Sequence, residues 1–388
     1  SEICGDALCN GSESPTNCPS DCGSVAGGGG YCGDGTCRPT RGETATTCPT
    51  DCSSQQQQQS APSVATLVSG VVQSSVHYCD ATDCVYADNT SSSTNGRICI
   101  ISTSGGSPNC IATGLEKPRV PIFSGANVCW SNNPADITTS GIFCKARTGQ
   151  GSITTVSTTS TGPQNNFYAD ENNFYWGDGI GGPSGRVRGV PLGGGSKVNL
   201  VSSLAYPRAF MLKGSTLFFA ISPGNIGGND SRGLKSISTV GGSLASIASD
   251  AAAGGGVKNI ATTSVTFSTV RGIDADNTNL YWAEGTALQN NGAVKYAPLS
   301  GGGDATTLVS GITSIGGVQI HNGYAYFSGT LNNTTGIYRV LTTGGTPSLY
   351  HAESSGIVFS SQIVGDTIYF EVSQDLGATV DLKKLPIQ

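Results

Sequence analysis

A short pattern recurs seven times between residue 80 and the C-terminus, and it constrains the fold more than any other feature of the chain. Its clearest copy runs through Asp276–Glu284, Gly292–Leu299 and Thr307–Gly311, with a Gly-Gly turn before the last segment. The copy reads as a turn, an apolar and aromatic strand, a hairpin, a second strand, a glycine turn and a third strand. One such unit cannot bury its own apolar face, so the units must stack around a common core.

Each copy contains two adjacent apolar or aromatic residues, which we call the marker pair. The marker pairs are Val85-Tyr86, Cys129-Trp130, Tyr175-Trp176, Phe218-Phe219, Tyr281-Trp282, Tyr326-Phe327 and Tyr369-Phe370. Their second members are separated by 44, 46, 43, 63, 45 and 43 residues. A period near 44 matches a four-stranded propeller blade of roughly 40–50 residues. The longer interval predicts one blade with an insertion around Ala251–Gly256. The sequence therefore predicts an all-β, seven-bladed β-propeller.

The seventh copy ends too early to complete its own blade. It stops at Leu385–Gln388, where an outer strand should begin, whereas Val64–Gly70 reads almost like Ala305–Gly311, the outer strand of the fifth copy. An N-terminal strand that completes the C-terminal blade would pair two open edges and close the ring. The alternative is a chance match in a chain rich in Ser, Thr and Val. We predict closure by the N-terminal strand, with the propeller spanning residues 63–388.

Two copies resemble a known repeat family. Tyr175–Asp178 and Tyr281–Glu284 are similar to the YWTD motif of propellers in lipoprotein receptors and related secreted bacterial repeat proteins. Receptor propellers of this kind have six blades, so the resemblance covers the repeat motif and not the ring size. It implies a propeller fold and does not imply a particular function.

The composition favours an extracellular β-protein. Only 12% of the residues are charged, and 20 Lys and Arg face 26 Asp and Glu without any basic run, which excludes a typical nucleic-acid binder. No stretch approaches the roughly 20 apolar residues of a membrane-spanning helix. The 14 cysteines form an even count that favours an oxidising compartment. We therefore expect a secreted protein without a membrane span.

Six cysteines fall in the first two copies, and each finds a partner nearby in sequence. Residues on adjacent strands can reach disulfide geometry without distorting the sheet. We predict three local disulfides, each stabilising the fold by about 2–3 kcal/mol in the chain-entropy model. The predicted pairs are Cys79–Cys84, Cys99–Cys110 and Cys129–Cys144.

The other eight cysteines form two copies of a short unit at residues 4–22 and 32–52. The first copy contains Cys4–Cys9 and Cys18–Cys22, and the second contains Cys32–Cys37 and Cys48–Cys52. The pattern resembles the CGDG-x-C…GE…CP-x-DC repeats of secreted, often multidomain bacterial proteins. A unit of about 20 residues has almost no core, so disulfides must hold it together. We predict a disulfide-rich module at residues 1–52, followed by a Ser/Gln-rich linker at residues 53–62.

Three carboxylates recur at matching places in each unit and are candidate calcium ligands. They are Asp6, Glu13 and Asp21 in the first copy and Asp34, Glu43 and Asp51 in the second. Carboxylates on a tight, disulfide-locked loop suit Ca²⁺, with backbone carbonyls completing the shell. The simpler interpretation is that these acids cap turns and face water, and zinc bound by the thiolates is a weaker option.

The segments Gly27–Gly30 and Ser53–Ser60 would be flexible linkers in isolation. If they are held in place, a neighbouring copy of the protein is one holder and the chain's own ring is another. An arm that docks onto the next subunit generates an open fibre when the rotation does not close. The leading hypothesis is thus a secreted structural or adhesive protein whose N-terminal arm links propellers, with copies of itself as partners.

A monomeric glycan- or protein-binding propeller is the alternative hypothesis, with loops such as Ile180–Ser184 and Pro223–Asp230 as its binding face. A polysaccharide lyase or hydrolase is a third. No motif surrounds the three histidines, so we do not expect an enzyme. The aspartates that precede strands, Asp80, Asp170, Asp274 and Asp276, are expected to form Asx turns. Sequons for N-glycosylation occur at Asn10, Asn89, Asn229, Asn332 and Asn333.

Overall fold

The computed structural model describes most of the chain from Ser63 onward. The described residues are 63–72, 77–89, 94–132, 140–158, 167–170, 172–178, 185–204, 207–221, 233–239, 258–261, 269–286, 289–301, 305–375 and 378–388. The predictions for the module at residues 1–52 and for the linker at residues 53–62 lie outside these ranges. The insertion around Ala251–Gly256 also lies outside them.

Seven four-stranded antiparallel sheets contain the 28 strands of the described residues, and no helix occurs in these ranges. Blades 1 and 2 comprise β2 (Tyr78–Cys79), β3 (Asp83–Asn89), β4 (Gly96–Ser102) and β5 (Asn109–Leu115), then β6 (Pro118–Ser124), β7 (Asn127–Asn132), β8 (Gly141–Ala146) and β9 (Thr154–Thr158). Blades 3 and 4 comprise β10 (Phe167–Ala169), β11 (Asn173–Asp178), β12 (Gly185–Pro191) and β13 (Val198–Leu204), then β14 (Pro207–Lys213), β15 (Thr216–Ile221), β16 (Gly233–Ser238) and β17 (Lys258–Ala261).

Blades 5 and 6 comprise β18 (Thr269–Ala275), β19 (Asn279–Gly285), β20 (Gly292–Pro298) and β21 (Thr306–Ile312), then β22 (Val318–His321), β23 (Tyr324–Leu331), β24 (Thr334–Leu341) and β25 (Ser348–Ala352). Blade 7 comprises β26 (Ile357–Val364), β27 (Thr367–Ser373), β28 (Thr379–Pro386) and the N-terminal β1 (Ala65–Val72). The predicted seven-bladed propeller is confirmed.

The marker pairs explain why the blades pack into a ring. Neighbouring residues of a strand face opposite sides of the sheet, so the two members of each pair enter different interfaces between blades. Tyr281 packs with Phe327 between blades 5 and 6, whereas Trp282 packs with Phe218 between blades 4 and 5. Each of the seven interfaces contains one hydrophobic cluster, and each cluster includes marker residues of the two blades that meet there. Each buried aromatic removes about 150–250 Å² from water, which makes these pairs the main source of ring stability.

The N-terminal strand closes the ring as predicted. β1 pairs antiparallel with β28, from Ala65 opposite Lys384 to Val72 opposite Thr379. The likeness between β1 and β21 also has a conformational reason, because Gly70 and Gly311 both adopt positive φ angles, of 66° and 74°, near the end of an outer strand. Only glycine adopts this backbone conformation readily. The match is therefore a property of outer strands and not a coincidence of composition.

The three predicted disulfides are present. Cys79–Cys84 joins the first two strands of blade 1, and Cys99–Cys110 joins its third and fourth strands. Cys129–Cys144 joins the second and third strands of blade 2. Each pair is a direct cross-strand partner in the sheet, so all three lock a register that the hydrogen bonds already set.

A glycine near the start of the third strand is required by packing in blades 1, 2, 5 and 6. A Cβ atom built at Gly336 in β24 would overlap the carbonyl oxygen of His351 in β25. We expect Gly336→Ala to lower the free energy of unfolding by about 2 kcal/mol, as overpacking against a rigid backbone does. Chemical denaturation of the full chain measures this value. Gly193→Ala is the matched control, because nothing lies within 4 Å of a Cβ atom there; an equal loss in both variants would contradict the packing argument.

Candidate functional site

The innermost strands of the blades surround a central channel that contains a cavity of about 440 Å³. One position recurs on these strands, and we call it the ring position. It is the residue paired with the first marker residue, as Asp274 pairs with Tyr281 and Gln362 pairs with Tyr369. In blade order, the ring position holds Tyr78, Ile122, Tyr168, Met211, Asp274, Gln319 and Gln362. Six of these seven residues line the cavity.

The ring position divides the channel into two arcs. In blades 1–4 it is aromatic or aliphatic, and in blades 5–7 it is a carboxyl or amide side chain. Phe210 adds a further aromatic ring to the apolar arc, and Lys213 adds an ammonium group beside Asp274. The channel wall is thus amphipathic across its diameter.

The polar side chains of the ring position each reach the inner strand of the next blade. Asp274 Oδ2 accepts a hydrogen bond from the Ile320 amide at 2.7 Å, and Gln319 Oε1 accepts one from the Ile363 amide at 3.3 Å. Gln362 clamps both backbone groups of Cys79, accepting from its amide at 2.7 Å and donating to its carbonyl at 3.0 Å. These contacts hold blades 5, 6, 7 and 1 at fixed spacing around the channel.

Each of these side chains keeps unused hydrogen-bonding capacity. A carboxylate oxygen has two lone pairs, and an amide group has two N–H donors and a carbonyl acceptor. Asp274 Oδ1 and Oδ2 accept one backbone hydrogen bond each, from Ala275 and Ile320. Burial raises the pKa of Asp274, against the opposing effect of these two amides. The polar arc therefore offers both donors and acceptors to the cavity.

The apolar arc contains two tyrosines, Tyr78 and Tyr168, whose hydroxyl groups can titrate. Burial, together with the negative charges of Asp274 and Asp170, raises the pKa of Tyr168 to about 12. Burial and the charge of Asp80 likewise raise the pKa of Tyr78. Both hydroxyls are therefore protonated at neutral pH, and the arc carries neutral aromatic rings. The Tyr78 ring also packs edge-on against Phe123 at 6.1 Å between centroids.

A buried histidine and glutamate join blades 7 and 1 at the wall of the cavity. His77 Nδ1 lies 3.2 Å from Glu371 Oε1, and the two side chains are 1% and 5% exposed. Glu371 Oε1 also accepts the His77 amide hydrogen at 2.9 Å. Within the described part of the chain, no group hydrogen-bonds to His77 Nε2. His77 Nδ1 is likewise without a hydrogen bond among the described residues, so the 3.2 Å contact with Glu371 is a close approach and not a hydrogen bond.

The arrangement around His77 does not match a serine-based catalytic set. Ser360 Oγ donates to Glu371 Oε2 at 3.0 Å, so the hydroxyl contacts the carboxylate and not the imidazole. A catalytic serine needs its hydroxyl on the histidine. The other histidines also pair with carboxylates, His321 with Asp366 at 2.9 Å and His351 with Glu353 at 3.7 Å. Sequence reasoning missed all three pairs, because the partners are distant along the chain or outside any motif.

The predicted Asx turns form at three of the four aspartates. The Asp276 carboxylate accepts the amides of Thr278 and Asn279, both at 2.7 Å, and Asp80 and Asp170 behave in the same way. The prediction for Asp274 is wrong. Asp274 lies inside β18 and bonds to the next blade, so it belongs to the channel wall.

Asp80 also receives an arginine from the neighbouring blade. In blades 3 and 5 the second carboxylate oxygen of the Asx turn accepts a tyrosine hydroxyl, but blade 1 has Val85 at that place. Arg147 of blade 2 donates to Asp80 Oδ2 at 2.6 Å instead. Burial alone would raise the pKa of Asp80, but hydrogen bonds from Arg147 and from the amides of Asp83 and Thr82 hold it well below its ordinary value.

This carboxylate makes the stability dependent on pH. Because the folded-state pKa of Asp80 is lowered, its contribution is complete above about pH 4, the value for an unfolded aspartate, and is lost as the pH falls. We expect Asp80→Asn to lower stability at about pH 7 and to reduce the further loss on acidification to about pH 3. Denaturant unfolding at both pH values measures the difference. Asp366→Asn, whose carboxylate is 74% exposed, should leave the pH profile nearly unchanged, and an equal effect there would refute the argument.

Most of the remaining predicted site residues lie outside the part of the chain that the structure describes. These are the candidate calcium ligands Asp6, Glu13, Asp21, Asp34, Glu43 and Asp51, the sequons at Asn10 and Asn229, and the loops Ile180–Ser184 and Pro223–Asp230. Asn332 and Asn333 occupy an exposed turn between β23 and β24. Asn89 is 7% exposed and its amide nitrogen donates to the Pro118 carbonyl at 3.1 Å. A glycan on that buried nitrogen would have to displace the residues packed around it.

The described ranges contain neither a metal-binding cluster nor a membrane-spanning helix. No group of three or more His, Cys, Asp or Glu residues within them is arranged to hold a metal ion. No helix in these ranges has the length and apolarity that a bilayer span requires.

No protein-family model and no curated protein matches this chain. Its fold is similar to that of several solved propellers. An oligogalacturonate lyase in complex with manganese is 11% identical, with 85% of this chain and 94% of that chain covered and a TM-score of 0.56. The oligogalacturonate lyase of Vibrio parahaemolyticus is 10% identical, with 85% and 95% covered and a TM-score of 0.55. The β-propeller domain of the Trilobed protease from Pyrococcus furiosus is 8% identical, with 82% and 94% covered and a TM-score of 0.54.

At these identities the similarity shows the fold alone. The Trilobed protease domain has an open velcro topology, whereas the present ring is closed by pairing of β1 with β28. The chain is thus a closed seven-bladed propeller whose structural neighbours include enzymes, and the expectation that it is not itself an enzyme stays a prediction.

Proposed function

We propose that this protein is a secreted structural or adhesive protein, in which residues 1–62 join propellers into an extracellular assembly. The observation that carries the proposal is the attachment of those residues to the ring. They lead directly into β1, the strand that closes the propeller. A pull on the N-terminal arm therefore acts on the strand that closes the ring.

Several contacts fasten β1. Its partner β28 runs along its whole length, and the Gly70 amide donates to Asp381 Oδ1 at 2.9 Å. The Val72 amide donates to Asp88 Oδ1 in blade 1 at 3.2 Å, and Val71 is buried between blades 7 and 1. Load on the arm is thus shared between two blades.

The chemistry of residues 4–52 supports a role as a connector. They comprise two tandem units with matching cysteines and matching carboxylates, the groups that disulfides and calcium use to hold a short segment together. The three disulfides of the propeller fit an oxidising, extracellular setting. The partners in this proposal are further copies of the same chain.

Light scattering on the natively purified full chain tests the proposal. With calcium we expect assemblies much larger than one chain, and we expect a chelator to reduce their size. Asp34→Asn combined with Asp51→Asn should mimic the chelator, whereas Asp366→Asn on the propeller should not. Monomers under every condition would favour the stand-alone binding propeller. Assemblies whose size changes neither with the chelator nor in the double variant would show that calcium does not hold them together.

A further inference from the structure

The cavity in the central channel has the chemistry of a small-molecule site that the proposed function does not use. Its volume of about 440 Å³ lies within the roughly 300–1,000 Å³ range of small-molecule sites. Such sites combine apolar and aromatic walls with a few convergent polar groups. The two arcs of the ring position supply both kinds of wall on opposite sides of one cavity.

The apolar arc provides flat aromatic surface. Tyr78, Tyr168 and Phe210 line the cavity together with Met211. The face of an aromatic ring carries partial negative charge, and it attracts C–H groups of a ligand that presents a face of C–H bonds. An extended apolar ligand would satisfy this arc alone and would leave the other arc unpaired.

The polar arc provides hydrogen-bonding groups of both kinds. Gln319 and Gln362 can donate and accept, and Asp274 can accept. His77 also lines the cavity, and behind that wall neither of its buried ring nitrogens hydrogen-bonds to a described residue. A buried polar atom without a partner is uncommon in folded proteins and is satisfied by a ligand or by ordered water. A hydroxyl group fits this wall because it donates and accepts at once.

The charges at the wall favour an uncharged ligand. Lys213 Nζ donates to the Ala275 carbonyl at 2.8 Å and lowers the cost of the negative charge on Asp274. Glu371 lies against His77 and Ser360, so its carboxylate is already engaged. No single charge is left as the dominant feature of the described cavity wall.

From these observations we propose that the central channel binds one pyranose residue of a neutral saccharide. The C–H face of the sugar stacks on Tyr168 and Phe210, and its hydroxyls bond to Gln319, Gln362 and Asp274. The site lies on the propeller alone and is independent of the assembly proposed above.

Binding of methyl glycosides to the full chain tests the site. The probes are the methyl pyranosides of glucose, galactose, mannose, xylose and N-acetylglucosamine, measured by saturation-transfer NMR and calorimetry. A ligand of this size is expected to bind with a Kd on the order of 1 mM. We expect at least one probe to bind. No binding of any probe up to about ten times that concentration overturns the proposal.

Two variants of the channel wall test whether the methyl glycoside binds in the cavity. Gln319→Leu removes hydrogen-bonding groups from the polar arc, and Tyr168→Leu removes a stacking surface; each should weaken the best probe about tenfold or more. Tyr324→Leu is the control, because Tyr324 packs with Arg339 and Tyr326 away from the cavity. Unchanged affinity in both channel variants would place the site elsewhere and overturn the inference.

A measurement without variants covers the case in which Tyr168→Leu or Gln319→Leu fails to fold. Crystals of the unmodified chain soaked with the best probe should show the sugar between Tyr168 and Gln319. Density for the sugar on an outer loop, with the channel free of it, would equally overturn the inference. Because no step involves residues 1–62, loss of assembly in light scattering leaves this test unaffected.

Discussion

Deleting residues 63–70 is expected to lower the melting temperature of the propeller by about 7 °C or more. The deletion removes most of β1 and leaves the outer edge of β28 unpaired. It also strips Leu67 and Val68 from the hydrophobic cluster between blades 7 and 1. Lost backbone hydrogen bonds and apolar contacts together amount to roughly 5 kcal/mol or more, and a domain of this size loses about 1.5 °C for each kcal/mol. Calorimetry of the full chain and of the deletion variant measures the shift.

Point variants in the same strand separate closure from a general effect of the deletion. Val71→Asp places a carboxylate in the buried cluster and should cost about 3 kcal/mol. Ser69 is exposed in the same strand, so Ser69→Asp should change stability by less than about 0.5 kcal/mol. A deletion variant that melts like the parent, or equal effects of the two point variants, would contradict closure by β1.

Lys295→Met is expected to lower the free energy of unfolding by about 3–5 kcal/mol, because it leaves a buried carboxylate without its counter-ion. Lys295 Nζ lies 2.6 Å from Glu284 Oε1, and the two side chains are 12% and 1% exposed. The other carboxylate oxygen accepts the Trp282 indole N–H at 2.9 Å. The pair therefore lies against the marker residue that holds blades 4 and 5 together.

The double variant Lys295→Met with Glu284→Gln should recover most of the loss. Glutamine removes the unpaired charge and keeps an oxygen for the Trp282 N–H. His321→Met is the control, since the carboxylate that pairs with His321 belongs to Asp366 and is 74% exposed. It should cost no more than about 1 kcal/mol. Denaturant titrations give all four values, and a double variant as unstable as Lys295→Met would show that charge burial is not the cause.

Much of the fold could be predicted because it follows from local alternation. Side chains alternate between the two faces of a strand, and the marker pairs recur once in each blade, in most cases about every 44 residues. The alternation places the marker residues in the interfaces between blades, and the recurrence sets the number of blades. The closing strand was predictable because Gly70 and Gly311 meet the same backbone requirement. The disulfides were predictable because each joins adjacent strands of one blade.

The channel was not predicted, because its residues come together only when the ring closes. His77 and Glu371 belong to the first and last blades, and no local pattern relates them. A signal was nevertheless present, since the ring position lies seven residues before the first marker residue, as 274 precedes 281 and 362 precedes 369. Reading that position across the copies separates an apolar arc from a polar arc. Asp274 was misassigned because its neighbour Asp276 does form the turn.

The proposed function requires residues 1–62 to join propellers into an assembly. Electron microscopy of the natively purified chain, imaged with calcium and then with a chelator, tests it most directly. We expect long particles built from repeated propellers, and we expect these particles to shorten when calcium is removed. Isolated single rings under both conditions would contradict it and would leave a propeller that acts alone.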